Sequence, residues 1–299
     1  MSLSNFIKPY LDRRMLRILL LGVMSGFPWV LIGSALSLWL KENDLSRTTI
    51  GWARLIFGVY AINFLWAPLI DRFHLPFLSR KIGHRKSWII LMQVIIFISL
   101  LIWSFLDPSK NLWLVIAVGL GIAISSATQD ITIDALRIEQ IGPNEKDLLS
   151  AGAAISVVGW WTGYKIGGLV SLISADILQK HGVENYWQVS FLFLSAIITL
   201  CSISLLFVPE RSSKEKVRLQ KLADRKIVEK IGSSSSFVKI FAWVYGAIIN
   251  PLLSFFKKNT LKVAFAILGF VFLFKIGEAF LGRMSLVFYK EIGFSKTDI

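Results

Sequence analysis

Cysteine and histidine are scarce in this 299-residue chain, at one and three residues. Cys201 stands alone inside an apolar run, so no intrachain disulfide can form, and no Cys/His cluster has metal-ligand spacing. Charge is thin as well. Asp, Glu, Lys and Arg make up 17% of the residues, where a soluble domain carries about 25%. No phosphate loop of the form G-x-x-x-x-G-K-[ST] occurs, which removes support for ATP-driven work. The Ser, His and Asp residues do not converge at a recognisable catalytic spacing, so no enzymatic reading survives. A cleavable leader is not expected either: the first apolar run, 16–40, is too long for a signal h-region, and no small-residue cleavage site follows it.

Apolar length is what the chain has in abundance. Hydrophobic residues reach 55% and mean hydropathy is +0.63. About 20 apolar residues cross a bilayer core, and runs of that order predict spans near 16–40, 50–70, 88–106, 112–136, 150–176, 187–208 and 261–289. The 11 Trp and 22 Phe residues suit aromatic belts at two interfaces. A net charge of +14 raises nucleic acid as a partner, but the basic residues sit between the apolar runs. There they set orientation, and the lipid bilayer is the partner they imply.

The basic residues alternate from loop to loop. Lys8, Arg13, Arg14 and Arg17 precede the first span, and Arg72, Arg80, Lys81, Arg85 and Lys86 follow the second. Between Glu210 and Lys262, 12 Lys and Arg face four acidic residues. The intervening loops are poor in Lys and Arg, so the positive-inside rule predicts a cytoplasmic amino terminus. The segment 237–256 is apolar but holds Lys239, Asn250 and Pro251 between basic flanks. It reads as an interfacial amphipathic helix that does not cross. These patterns divide the chain into a six-helix membrane half over 1–208, a basic linker over 209–260, and a seventh span with its flank over 261–299.

An internal repeat points to the architecture. KENDLSRTTI (Lys41–Ile50) follows the first span, and KEIGFSKTDI (Lys290–Ile299) closes the seventh, with Lys, Glu, Ser, Thr and Ile in register. Gly33 and Gly282 fall in step with the same offset. Secondary transporters are commonly built from two six-helix halves related by a parallel repeat. The seventh span is therefore expected to open a second half, and the chain to be truncated after it. The expected fold class is an all-α integral membrane protein, a six-helix bundle plus the first helix of a second half.

Asp71-Arg72, followed after an insertion by Gly83-His84-Arg85-Lys86, resembles the loop signature of the major facilitator superfamily. Several strings are similar to AmpG-type anhydromuropeptide permeases of that superfamily. They are Ser25-Gly26-Phe27-Pro28, Trp66 to Asp71, Ser125 to Ala135, Tyr164-Lys165, Lys275-Ile276-Gly277-Glu278 and Gly293-Phe294-Ser295. Lys165 stands where that family commonly has Arg, and Glu278 where it commonly has Asp. The resemblance implies an inner-membrane, multi-pass importer of peptidoglycan turnover products, with anhydromuropeptide and protons as partners and no cofactor. Related acetyl-coenzyme A transporters share the Gln-Asp and Asp core of the fourth-span string, so another bulky anion stays open as substrate. A non-transporting remnant of a disrupted gene stays open too, as does a second chain supplying the missing helices.

Ionisable residues inside spans cost roughly 2.5–3.5 kcal/mol each at a helix centre, and they are the site candidates. Lys165 and Lys275 read either as positive charge at mid-membrane depth for an anionic substrate, with Glu278, three residues from Lys275, able to take up a proton, or as members of a structural ion pair. Asp130 is read as either a proton or substrate site or an inter-helix lock, with Gln129 before it as a substrate contact. Asp134 pairs with Arg137 or lies in a hydrated end. Arg54 snorkels to headgroups or touches substrate. Gly26, near Pro28, bends the first helix, packs it, or borders substrate. Asp71, Arg72 and Arg85 are expected to gate the cytoplasmic end.

Overall fold

The apolar runs become helices in a computed structural model, which describes residues 8–142, 145–210, 222, 245 and 249–281. Seven long helices are named here: α1 (Arg13–Glu42), α2 (Arg47–Leu65), α3 (His84–Trp103), α4 (Pro108–Glu139), α5 (Lys146–Lys180), α6 (Tyr186–Leu205) and α7 (Leu261–Leu281). Among the described residues no strand occurs. Among the described residues five helices, α1 to α4 and α6, are long and apolar enough to cross a membrane. The other predicted spans differ in kind. α5 runs for 35 residues, but glycines, serines and Lys165 dilute its hydropathy. α7 is described over 21 residues.

Local chemistry sets the helix ends. Asp12 caps α1 by accepting from the Arg14 N–H at 2.8 Å, Ser46 caps α2 through the Thr49 N–H at 3.1 Å, and Asp107 caps α4 through Ser109 at 2.9 Å. Pro28 lies inside α1, and a π-helical stretch, Leu31–Ala35, begins three residues later. The second span departs from the single run expected over 50–70. α2 contains 3₁₀ turns at Arg54–Gly58 and Asn63–Leu65, breaks at Trp66, and resumes as the short helix Ala67–Arg72. Pro68 explains the break, since it has no N–H to donate to Phe64 and its ring crowds that carbonyl.

The described residues group into two units. In the six-helix unit, α1 to α6 with a short helix at Leu78–Ile82, the main partner of α1 is α5. Their seam is made of glycines: Gly22 and Gly26 on α1, and Gly159, Gly163 and Gly167 on α5. A Cβ at Gly22 would lie 2.6 Å from the Ser156 carbonyl oxygen, and one at Gly159 2.5 Å from that of Leu19. At Gly26 and Gly163 it would collide with the backbones of Trp160 and Val23. Lipid gives no hydrophobic drive for helices to meet, so such close backbone contact supplies the attraction. An aromatic cluster fills the end of the bundle where α1 finishes, with Trp39, Trp103, Trp187 and Phe191 fully buried.

The second unit holds the short helix Ala67–Arg72, a helix at Asn250–Lys258, and α7. Leu253 is exposed, Lys257 and Lys258 close the short helix, and Phe256 meets Phe265 at 6.0 Å between ring centres. Most of the segment 237–256 expected at the interface, and the repeat string Lys290–Ile299, lie outside the described residues.

Candidate functional site

Asp130 is the centre of the clearest constellation. It is half-buried on α4 and accepts hydrogen bonds from Ser25 Oγ at 2.7 Å and Trp29 Nε1 at 3.4 Å. Ser25 and Trp29 are four apart on α1, one helical turn, so both reach one carboxylate. Rings from two other helices gather around Trp29: Phe57 and Tyr60 from α2 at 5.3 and 4.3 Å, and Trp160 from α5 at 5.6 Å. Trp160 stacks on Tyr164 at 5.6 Å with the planes 5° apart. Arg54 is half-buried, donates through Nε to Ser37 Oγ at 3.1 Å, and lies within electrostatic reach of Tyr164. It is turned towards α1, which fits a contact inside the bundle better than snorkelling.

Aromatic faces stack on the apolar faces of ring-shaped ligands, and a half-buried carboxylate can accept a proton or a ligand donor. The other expected residues fall elsewhere. Gln129 is fully buried and donates through Nε2 to the Met24 carbonyl at 2.8 Å. Gly26 is buried in the α1–α5 seam, the packing alternative of its sequence reading. Asp134 pairs with Arg137 at 3.0 Å, one of the two arrangements expected for it. Lys165 is exposed and borders a shallow groove with Val157, Val158, Trp161, Thr162 and Ile166. One position past Tyr164, it points about 100° around the helix from that ring. Lys275 and Glu278 lie on α7, but their side chains fall outside the described residues.

A second cluster lies at the end of the bundle where α1 begins. Arg85 is buried, and its Nε is 3.5 Å from Glu139 Oε1. The Glu210 carboxylate caps α3, accepting from the Arg85 N–H at 2.8 Å and the Lys86 N–H at 3.0 Å. Negative charge is favoured at a helix amino terminus, where the first N–H groups have no partner within the helix. Gly83 makes the cap possible: its φ is +106°, and a Cβ there would collide with the Glu210 carboxylate. Arg14 bridges Asp12 and Glu145, at 2.8 Å to each. Hydrogen bonds from Arg14 hold Asp12 down at about 2, and Arg14 also holds Glu145 below its ordinary value. Asp71 and Arg72 stand half-buried on the short helix of the other unit.

Sequence reasoning missed Glu210, Glu139 and Trp29. For Glu210 a signal was present, an acidic residue directly after Pro209 where the sixth span meets a basic stretch.

Helices of membrane length, a glycine seam between two of them, and a charged group inside the bundle define an integral membrane protein of the transporter kind. The model of the Major Facilitator Superfamily matches residues 18–298, and the chain belongs to that family. It is 36% identical over 295 residues to a transporter of Rickettsia felis designated AmpG 4, covering 98% of this chain and 63% of that protein. It is 29% identical over 297 residues to the anhydromuropeptide permease of Escherichia coli, covering 99% of this chain and 52% of that protein. The chain thus spans little more than half to just under two thirds of the length of these relatives.

Proposed function

We propose that this chain contributes the substrate-facing bundle of a proton-driven importer of anhydromuropeptides in the inner membrane, with its amino terminus in the cytoplasm. The carrying observation is Asp130, held by Ser25 and Trp29 inside the aromatic set of α1, α2 and α5. Such a set suits a disaccharide, whose ring faces stack on indoles and phenols. Arg54, Lys165 and Lys275 supply positive charge for its carboxylates, Gln129 and Gly26 shape the α1–α4–α5 wall, and Asp130 and Glu278 exchange the proton. Asp71, Arg72 and Arg85 act at the cytoplasmic gate. The similarity to the anhydromuropeptide permease of Escherichia coli supports the substrate class.

The test is uptake of labelled anhydromuropeptide by cells lacking other importers. The chain is expressed alone, and together with the part of the Escherichia coli permease that it does not match. We expect protonophore-sensitive uptake that Asp130→Asn removes. Loss of one charge-assisted hydrogen bond, about 1.5–3 kcal/mol, predicts that Lys165→Ala weakens half-saturation about tenfold or more. Competition by acetyl-coenzyme A and not by muropeptide would replace the substrate. Orientation has its own test. Cysteines placed at Ser109 and Asn185 should react with an impermeant maleimide outside intact cells, and one at Ser150 should not. All three positions are exposed and Cys201 is buried, which keeps the background low.

A further inference from the structure

We infer that Gln129 is a positioning residue that stands in for the hydrogen-bond donor Pro28 lacks. In an α-helix the carbonyl of residue 24 is served by the N–H of residue 28. Proline has none, so the Met24 carbonyl loses its helical donor where α1 is buried against its neighbours. The Gln129 side chain enters from α4 and donates Nε2 to that oxygen at 2.8 Å. Gln129 is completely buried, and its Oε1 has no hydrogen-bond partner among the described residues. Burying an acceptor without a donor is unfavourable, and a hydrocarbon side chain of the same shape would avoid that cost. The residue is understandable through its amide nitrogen.

The bond has a consequence for the neighbouring position. Gln129 pins α4 to α1 four residues before the proline, and Ser25, which donates to Asp130, directly follows Met24. The break at Pro28, the π-helical stretch Leu31–Ala35 and the placing of Asp130 against α1 are thereby one arrangement. The pinning role stands on α1–α4 geometry alone. Only its bearing on Asp130 rests on the proposed function.

The test uses the full chain in lipid nanodiscs and a double-mutant cycle. Gln129→Met keeps the shape and removes the donor, and Pro28→Ala gives the Met24 carbonyl its own helical N–H. We expect Gln129→Met to lower the thermal unfolding midpoint in the native background, and that drop to shrink by more than half in the Pro28→Ala background. A role in packing alone gives equal drops in both, and that result overturns the inference. If Gln129→Met fails to reach the membrane, its recovery in the Pro28→Ala background is the expected rescue, and failure in both overturns it. The second readout is dicyclohexylcarbodiimide labelling of Asp130 against pH, with Asp134 as the reference site. Gln129→Met should shift the Asp130 profile and Pro28→Ala should restore it. An unmoved profile with the thermal rescue intact removes the link to Asp130 and leaves the proline role standing. Neither readout involves transport, so failure of the proposed substrate leaves both unaffected.

Discussion

The two ends of the six-helix unit are held together by different physics. Where α1 begins, the links are ionic or polar: Arg14 with Asp12 and Glu145, Arg85 with Glu139, Glu210 on the amino terminus of α3, and Gln140 Nε2 on the Pro209 carbonyl at 2.9 Å. Where α1 finishes, rings do the holding. Phe191 lies 4.9 Å from Trp39 and 5.2 Å from Trp103, and Glu42 accepts from Tyr186 Oη at 2.9 Å and Trp187 Nε1 at 2.7 Å. The part-exposed pairs of Arg14 trade partners at small net cost, because water and headgroups replace what is lost, whereas the buried Arg85 has less of that replacement. Interlocked buried rings have no such replacement, since a void simply forfeits contacts. One end is thus built to be remade and the other to persist.

Truncating the aromatic end should therefore have the largest effect. Trp39 is 1% exposed and packs on two other rings. Removing a buried Trp or Phe side chain costs about 3–5 kcal/mol, and the low end applies here because the unfolded helices also remain in lipid. We expect Trp39→Ala to lower the unfolding midpoint in nanodiscs far more than Arg14→Ala does. Equal losses would abolish the distinction between the ends.

Next in size is the cap on α3. Glu210→Ala removes the acceptor of two N–H groups, for which capping losses of about 0.5–2 kcal/mol are typical. Glu210→Gln retains one acceptor oxygen and should fall between Ala and the native residue. Gly83→Ala should match or exceed Glu210→Ala, because it both strains a positive φ and displaces the carboxylate. If Gly83→Ala proves harmless while Glu210→Ala is costly, the glycine is not what makes room for the cap.

The comparison also marks what could be read without coordinates. The helices followed from apolar length, but the single span expected over 50–70 breaks at Trp66, a signal that Pro68 carried and apolar length alone hides. The family followed from short strings such as Ser125 to Ala135. Residues whose meaning lies in a second helix were not readable. Gly26 could bend, pack or border substrate, and its close approach to the Trp160 backbone is visible only once α5 is in place. Gln129 and Asp130 are adjacent in one motif, yet one turns to a backbone carbonyl and the other to a serine and an indole. Their difference comes from the rotation of α4 against α1, which helical period alone does not set. Glu210 was passed over because charge counting treats every loop carboxylate alike, whatever helix end it meets.

The smallest expected effect sharpens the picture of the remakeable end. Asp12 is held at about 2 in the folded chain against an ordinary 3.8, chiefly by its side-chain and backbone hydrogen bonds from Arg14. A carboxyl depressed on folding favours the folded state above its unfolded value, and the benefit disappears as pH falls through the folded one. Stability from this site is thus fully present above pH about 4 and lost between there and about 2. Because the group is largely solvated, the loss should be small, and raising salt towards 1 M, where the screening length is about 3 Å, should reduce it further. Unfolding midpoints at pH 5 and at about pH 1, in low and high salt, test this for the native chain beside Asp12→Asn. Relative to Asp12→Asn, the native chain should lose its advantage on acidification and lose part of it in salt. An advantage that survives at about pH 1, below the folded value, would mean that capping through a neutral Asp12, and not its charge, holds the start of α1.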